Sequence, residues 1–389
     1  MRCTRHGGSR YHVSCRPWMR QVHEQPGFRT ERQVLSRAVA VLLGWLLLVP
    51  VTMATTLYPA IGPESSRLHI LSSTDEAAML FLVQDFQQLY PGVAVEYLEL
   101  SSLPLFERFI HEQGRGEVGS DLVISSAMDL QIRLVNDGMA ATHELDGLDW
   151  LPEWAQWRGQ AFGFTCEPAV MIYNRRLLPA TQVPRNRFEL IELLRGQQQH
   201  FQGRVGTYDI ARSGLGYLFA SQDAQQASTW GRLLENLSQV QARLYDSSRD
   251  MLEDVRSGRL LLAYNVLGSY ARSWLDEYPE LGLILPQDYV LVMSRVAFVP
   301  LQAPHPEMGH RFLDYLLSLR GQQVLAQQAR LFSIHPGVRG EITYHSLQEA
   351  TRNRGPLKLI RLGPALLTYQ DQLKKRHFLT DWERIMPSQ

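Results

Sequence analysis

A short apolar strand that breaks on a serine pair and runs directly into an amphipathic helix occurs twice in this chain. In Asp121–Gly138 (DLVISSAMDLQIRLVNDG), the strand Leu122-Val123-Ile124 meets Ser125-Ser126, and a helix follows with Met128, Ile132 and Val135 on one stripe. Upstream, Leu68-His69-Ile70-Leu71 passes through Ser72-Ser73-Thr74 into Asp75-Glu76 and another apolar-striped helix. Uniformly apolar strands alternating with such helices belong in a mainly parallel sheet covered on both faces. Serines at a helix start also place hydroxyls and unpaired N–H groups where negative charge is stabilised. In open sheets of this type, ligands bind beyond the carboxyl ends of the strands. Both serine pairs are expected there, as part of one ligand-binding cleft.

The same rhythm continues through the chain. A helix is expected over Asp75–Tyr90, with Met79, Leu82, Val83, Phe86 and Tyr90 at helical spacing and Pro91-Gly92 as its stop. A strand over Val93–Leu98 and a helix over Leu105–Glu112 follow. The run Ala161–Tyr173, broken at Glu167-Pro168, reads as a crossing into a second lobe. That lobe takes helix Phe188–Leu194, strand Val205–Tyr208, the loop Asp209–Gly214, helix Ala227–Ser238, strand Leu260–Tyr264 and the loop Asn265–Ser269. The apolar run Tyr289–Pro300 reads as the return crossing. Helices Glu307–Leu319 and Gly321–Arg330 then complete the first lobe, and a helix near Pro364–Ile385 packs across it. The expected division is 1–54 as an extension with an export signal, 55–160 plus 290–345 as lobe 1, 161–289 as lobe 2, and 346–389 as a helical tail.

Residues Ala38–Ala54 (AVAVLLGWLLLVPVTMA) form the only membrane-like run. It is 17 residues long, follows an Arg-rich flank and ends in small residues, which reads as a cleaved secretory signal and a periplasmic destination. An uncleaved anchor is the alternative, and Met19 is an alternative start. Residues 1–54 carry eight arginines and two acids. Their removal leaves 31 basic and 37 acidic residues, a net charge of −6, which argues against nucleic acid as a partner. It also removes Cys3 and Cys15 and leaves Cys166 alone, so no intrachain disulfide staples the exported protein.

No catalytic or metal-binding spacing stands out. The histidines lack H-x-x-x-H or H-E-x-x-H spacing, and G-x-S-x-G, S-x-x-K and the P-loop pattern are missing. The sequence therefore gives no reason to expect an enzyme, a resident metal or a cofactor.

Several segments, in order, carry a resemblance: LHILSSTDE, DLVISSAMDLQIRLVNDG, VMIYNRRLLP, GTYDIARSGLGYLF, LLAYNVLGSYA, DYVLVMSRVAFVP and HRFLDYLLSLRGQQVLA. Together, across roughly residues 66–345, they resemble the periplasmic solute-binding proteins of ABC importers, in the iron(III)-transport type group. That group also has members binding phosphorylated organic molecules. The resemblance implies a type II periplasmic binding protein: two α/β lobes, each a mainly parallel sheet flanked by helices, joined by two crossing strands and closing on a ligand. It implies an inner-membrane ABC permease as partner, or a membrane sensor kinase in the alternative, and a monomer is expected.

Candidate ligand residues follow from both readings. Ser73 with Glu76 fits a capping box and Ser126 with Asp129 a related one. Ser72 and Ser125, not needed as caps, are then the better ligand donors; Thr74 completes the first turn. In lobe 2, Arg212-Ser213-Gly214 offers a guanidinium fork for carboxylate or phosphate and a glycine that lets backbone approach a ligand; the alternative for Arg212 is a surface pair with Asp209. Asn265, Ser269 and Tyr270 follow a strand where iron-binding members carry two adjacent tyrosines. Ser269-Tyr270 departs from that pattern and argues against ferric ion. Arg295, in an apolar strand, either reaches the cleft or pairs with an acid such as Asp288. A small anionic solute, phosphorylated or carboxylate, is the expected ligand, with ferric ion as the alternative.

Overall fold

The computed structural model describes residues 55–144, 147–226 and 228–386. The export signal expected within residues 1–54 lies outside them. Among the described residues, no helix is long and apolar enough to cross a membrane.

The described residues build two seven-stranded sheets. In the first, strand Ser66–Ser72 lies between two parallel neighbours, Val93–Glu99 and Leu122–Ser125. Thr56–Tyr58 closes one edge antiparallel, and Val296–Phe298 pairs antiparallel with Leu122–Ser125 on the other side. Ala161–Gly163 and Gln156–Trp157 complete this sheet. In the second, Val205–Tyr208 is parallel to both Leu262–Leu267 and Arg243–Tyr245. The long strand Glu167–Asn174 pairs antiparallel with Leu262–Leu267, Leu281–Ile284 and Val290–Met293.

The tail strand Leu357–Leu359 rejoins the second sheet, but between Gln156 and Phe298 the backbone crosses between sheets twice, through Phe164-Thr165-Cys166 and through Ser294-Arg295. These crossings sit side by side: Phe164 N donates to Arg295 O (3.0 Å), and the Ser294 hydroxyl donates to Thr165 O (2.6 Å). The apolar runs Ala161–Tyr173 and Tyr289–Pro300 were expected to carry these crossings, and they do. Their ends differ from expectation, since Ala161–Gly163 still belongs to the first sheet and Val290–Met293 to the second.

Helices cover both faces. Met79, Leu82, Val83 and Phe86 of Glu76–Leu89 are fully buried and pack with Leu68, Val95, Ile124 and Phe312. Each such side chain contributes about 1.5–3 kcal/mol by leaving water. Among the helices with no counterpart in the sequence pattern is Gly214–Gln226. It opens Gly-Leu-Gly and is buried on nearly every side, so it carries no amphipathic stripe to detect. Asn265–Ser269, expected as a loop, instead ends strand Leu262–Leu267 and begins helix Gly268–Glu277.

The tail touches both halves. Leu357–Leu359 pairs parallel with Val290–Met293. The turn Pro364–Tyr369 then lies on helix Met128–Asn136 of the first lobe. Gln372–Ile385 packs on the second lobe, with Trp382 stacked against Trp230 and the Ser238 hydroxyl donating to Ile385 O.

Asp129, on Met128–Asn136, is fully buried beneath that tail and accepts from the Gln370 side-chain amide. Burial raises its carboxyl to about 6, against the opposing pull of Gln370 and of Lys375. A raised carboxyl binds its proton more tightly folded than unfolded, so it costs stability above pH 6, and the cost fades as pH falls toward 4. Asp129→Asn is therefore expected to be more stable than the parent at pH 7.5, by on the order of 2 kcal/mol. Paired urea melts across pH 4–8 check this: the gap closes on acidification, and a gap independent of pH rejects the assignment.

Candidate functional site

The carboxyl ends of Ser66–Ser72 and Leu122–Ser125 face a solvent-open recess of about 100 Å³. The first lobe supplies Ser73, Asp75, Glu99, Ser101, Ser102 and Ser126. The second supplies Tyr208, Ser213, Asp246, Ser247, Ser248 and Tyr270. Its wall is thus rich in hydroxyls and carries three carboxylates.

The serine pairs divide their work in the opposite sense to expectation. Ser72 and Ser125 are buried, and each hydroxyl accepts from the N–H two residues on, Thr74 N at 3.0 Å and Ala127 N at 3.2 Å. Both are committed to their own turns and lie outside the recess lining. Ser73 and Ser126 line the recess instead. The Ser73 hydroxyl accepts from Ser126 N (3.0 Å) and lies 3.4 Å from the Ser126 hydroxyl, which joins the two helix entries.

Neither expected capping box forms. The residue preceding helix Glu76–Leu89 is Asp75, which makes no side-chain cap, and Ala127 precedes Met128–Asn136 in the same way. The N–H of Glu76 goes to the carboxylate of Glu99 at 2.7 Å, from the neighbouring strand. A side chain of this protein therefore already occupies the positive end of that helix. Burial raises the Glu99 carboxyl above its ordinary value, the Glu76 N–H works against this, and nearby Asp75 adds to the rise.

Asp75 is the junction between lobes. Its carboxylate accepts from the Tyr270 hydroxyl (3.0 Å) and from Arg249, Nε at 3.2 Å. The Tyr270 oxygen in turn accepts from Asp75 N (3.3 Å). Arg249 sits two residues past Ser247, which caps helix Ser248–Ser257 by accepting from Asp250 N. Arg249 escaped the sequence reading, because an exposed arginine in a polar segment carries no local signal. Burial holds the phenols of Tyr270 and Tyr208 above their ordinary values, so both are hydrogen-bonding hydroxyls at neutral pH. Tyr208 meets the Ser248 hydroxyl at 2.5 Å.

The Arg212 side chain is 71% exposed and pairs with Asp246 (2.8 Å), not with Asp209. Ser213 is buried, lines the recess and accepts from Gly216 N at 3.1 Å, in the first turn of Gly214–Gln226. Gly214 permits a close approach, but to the other lobe: a Cβ there would lie 2.9 Å from the Ser102 hydroxyl and 3.2 Å from the Ala127 Cβ. The Ser102 hydroxyl accepts from Leu215 N (3.1 Å) at the same contact.

Asn265 is held at φ 61° and donates to Asp223 (2.8 Å), away from the recess. Ser269 donates to Glu167. Arg295 is wholly buried and pairs with Glu167 (Nε–Oε1 2.7 Å), while a second nitrogen donates to the Thr74 hydroxyl at 2.9 Å. Burial alone would lower the Arg295 pKa, but Glu167 outweighs it and the guanidinium lies above its usual value. Asp288, its expected partner, belongs to Arg187 instead (3.0 Å). Thr74 and Arg295 thus form the buried floor between the hinge and the first helix.

The family model for bacterial extracellular solute-binding proteins matches residues 68–328. Among solved structures, the substrate-binding protein of an ABC transporter from Agrobacterium tumefaciens is 34% identical. The match covers 87% of this chain and 99% of that one, with a TM-score of 0.82. Iron-bound HitA from Pseudomonas aeruginosa is 18% identical, over 83% of this chain and 100% of that one, with a TM-score of 0.66. AfuA from Actinobacillus pleuropneumoniae, with exogenous fructose-6-phosphate bound, is 14% identical, over 83% and 99%, with a TM-score of 0.69. The last two are alike in fold alone. No curated protein matches the sequence.

Proposed function

Because this chain belongs to the bacterial extracellular solute-binding proteins and is the periplasmic solute-binding component of an ABC transporter, we propose that its interlobe recess takes a small anionic solute that also carries hydroxyl groups, a sugar phosphate being the type. One observation carries this reading: the lining combines hydroxyls with the carboxylates of Asp75, Glu99 and Asp246, and the guanidinium of Arg249 is bonded to the first of these. A bare anion would meet those carboxylates as like charges, because Arg249 and Arg212 are already engaged by Asp75 and Asp246. Ligand hydroxyls can donate to the carboxylates, while the acidic group takes the serines and the guanidinium donors that Arg249 does not give to Asp75. The fructose-6-phosphate bound to AfuA is a solute of this kind. An inner-membrane permease is the partner that receives it. Binding selects the closed arrangement in which Asp75 bridges to Arg249 and Tyr270, and the permease reads that state.

Ferric ion is the second reading. Tyr208, Tyr270, Asp75 and Glu99 line one recess and offer hard oxygen donors. It is weaker, since both phenols are held protonated by burial.

A thermal-shift screen of sugar phosphates, phosphoglycerates, phosphonates, di- and tricarboxylates, neutral sugars and ferric citrate decides between them. A ligand at a hundred times its dissociation constant adds about 2.7 kcal/mol to stability. The expected hit is a phosphorylated sugar, with the gain lost in Arg249→Ala. Response to neutral sugars alone would remove the anionic part of the reading. A visible tyrosinate-to-metal band with ferric ion, lost in Tyr270→Phe, would replace it.

A further inference from the structure

Away from the recess, three metal-ligating side chains meet on the first lobe. His69 lies three residues before the end of strand Ser66–Ser72, Asp121 immediately precedes Leu122–Ser125, and His305 immediately precedes helix Pro306–Leu317. Strand spacing puts His69 about 10 Å from Ser72, toward the opposite end of the sheet from the recess. One ligand atom from each of the three lies within 4.8 Å of the others.

The Asp121 carboxylate is the centre. It is wholly buried, and its oxygens accept from the backbone N–H groups of His69 (2.8 Å) and His305 (2.7 Å). The ring Nδ1 of His69 stands 3.0 Å from one oxygen and that of His305 stands 3.5 Å from the other. The His305 nitrogen is shut off from solvent and has no hydrogen-bond partner. The two rings stack with centroids 5.5 Å apart. Glu96 adds negative charge, 3.6 Å from the far nitrogen of His69.

We propose that His69, Asp121 and His305 form a zinc site, with water completing a tetrahedral shell. Two imidazoles and one carboxylate are a donor set suited to a borderline divalent ion. With bonds near 2.0 Å, neighbouring ligands around tetrahedral zinc stand about 3.3 Å apart. The two N···O separations, 3.0 Å to one Asp121 oxygen and 3.5 Å to the other, lie near that value, and a small turn of the carboxylate would present one oxygen to both rings. The backbone N–H bonds to Asp121 supply the outer support that fixes a ligating carboxylate. Gly309 lets the following helix seat against Asp121, where a Cβ would come within 2.1 Å of its carbonyl oxygen, and this fixes the entry of His305. The side chains of His69 and His305 are 26% and 45% exposed, so the site lies close to the surface even though the His305 Nδ1 itself is covered. Bound zinc would tie the central strand of the first sheet to the helix at Pro306–Leu317.

Calorimetric titration of the tag-free, chelator-stripped protein with zinc chloride tests this, together with the visible spectrum of the cobalt(II) form. The expected result is a single equivalent, tetrahedral cobalt bands and a zinc-dependent rise in Tm. His305→Ala, at a half-exposed position, should weaken binding by more than the roughly 10- to 100-fold that an outer-sphere change costs. His310→Ala should leave it unchanged, since that side chain is bound to His143 (2.8 Å). Failure to bind zinc, undiminished binding in His305→Ala, or equal loss in His310→Ala would each overturn the assignment. The solute screen is read without zinc, so either result stands apart from the other.

Discussion

Replacing Arg295 by methionine is expected to cost about 3–5 kcal/mol of stability. The substitution leaves the Glu167 carboxylate wholly buried beside only the hydroxyls of Thr165 and Ser269. A charge stranded in the interior costs more than the pair ever contributed, because its desolvation is no longer offset. The double variant Arg295→Met with Glu167→Gln should recover most of the loss, since no charge then remains to be buried. Guanidinium melts of the three variants measure this. A single-variant loss below about 1 kcal/mol would mean that the pair behaves like a surface bridge and that water reaches the hinge. Solute binding should fall with the single variant too, as Thr74 loses the donor that fixes the first helix entry.

Asp223→Ala is expected to be comparably damaging, again about 3–5 kcal/mol. Asp223 accepts from the hydroxyls of Tyr264 (2.8 Å) and Tyr289 (2.7 Å) and from the Asn265 amide (2.8 Å), and pairs with Arg187 at 3.3 Å. Arg187 is itself buried, lies 3.7 Å from the Tyr289 ring centroid and bonds Tyr289 O. Truncation strips four donors at once and leaves Arg187 with only the half-buried Asp288 as counter-charge. Asp223→Asn keeps the shape and an acceptor, so its loss should be smaller than that of Asp223→Ala. Thermal melts rank the two, and equal losses would put the effect on the charge rather than on the network.

The sheets and crossings were legible because they depend on short-range pattern. Leu68–Leu71, Leu122–Ile124 and the runs around Met171 and Val292 are apolar enough to announce buried strands. The recess wall was legible only to within a residue. Ser72 and Ser73 are equally polar in sequence, and the turn decides which hydroxyl faces inward. Caps failed for a non-local reason: Glu99, 23 positions from Glu76, takes the helix N–H that a capping box would have used. Arg295 and Glu167, 128 positions apart, show the same limit, as does Arg249 reaching Asp75 across the lobes. His69, Asp121 and His305 share no telling sequence spacing, since each comes from a different part of the fold.

The tail also alters what opening the clamp entails. Gln370 grips Asp129 on one lobe, while Tyr217 and Trp230 hold the same segment on the other. Any swing that parts helix Met128–Asn136 from Gly214–Gln226 must stretch this bridge or unseat one of its ends. The hinge is therefore sprung: the resting gape of the empty protein is set partly by residues that never meet the cargo. Sequence change in the tail would then tune how sharply the permease distinguishes a loaded carrier from an empty one.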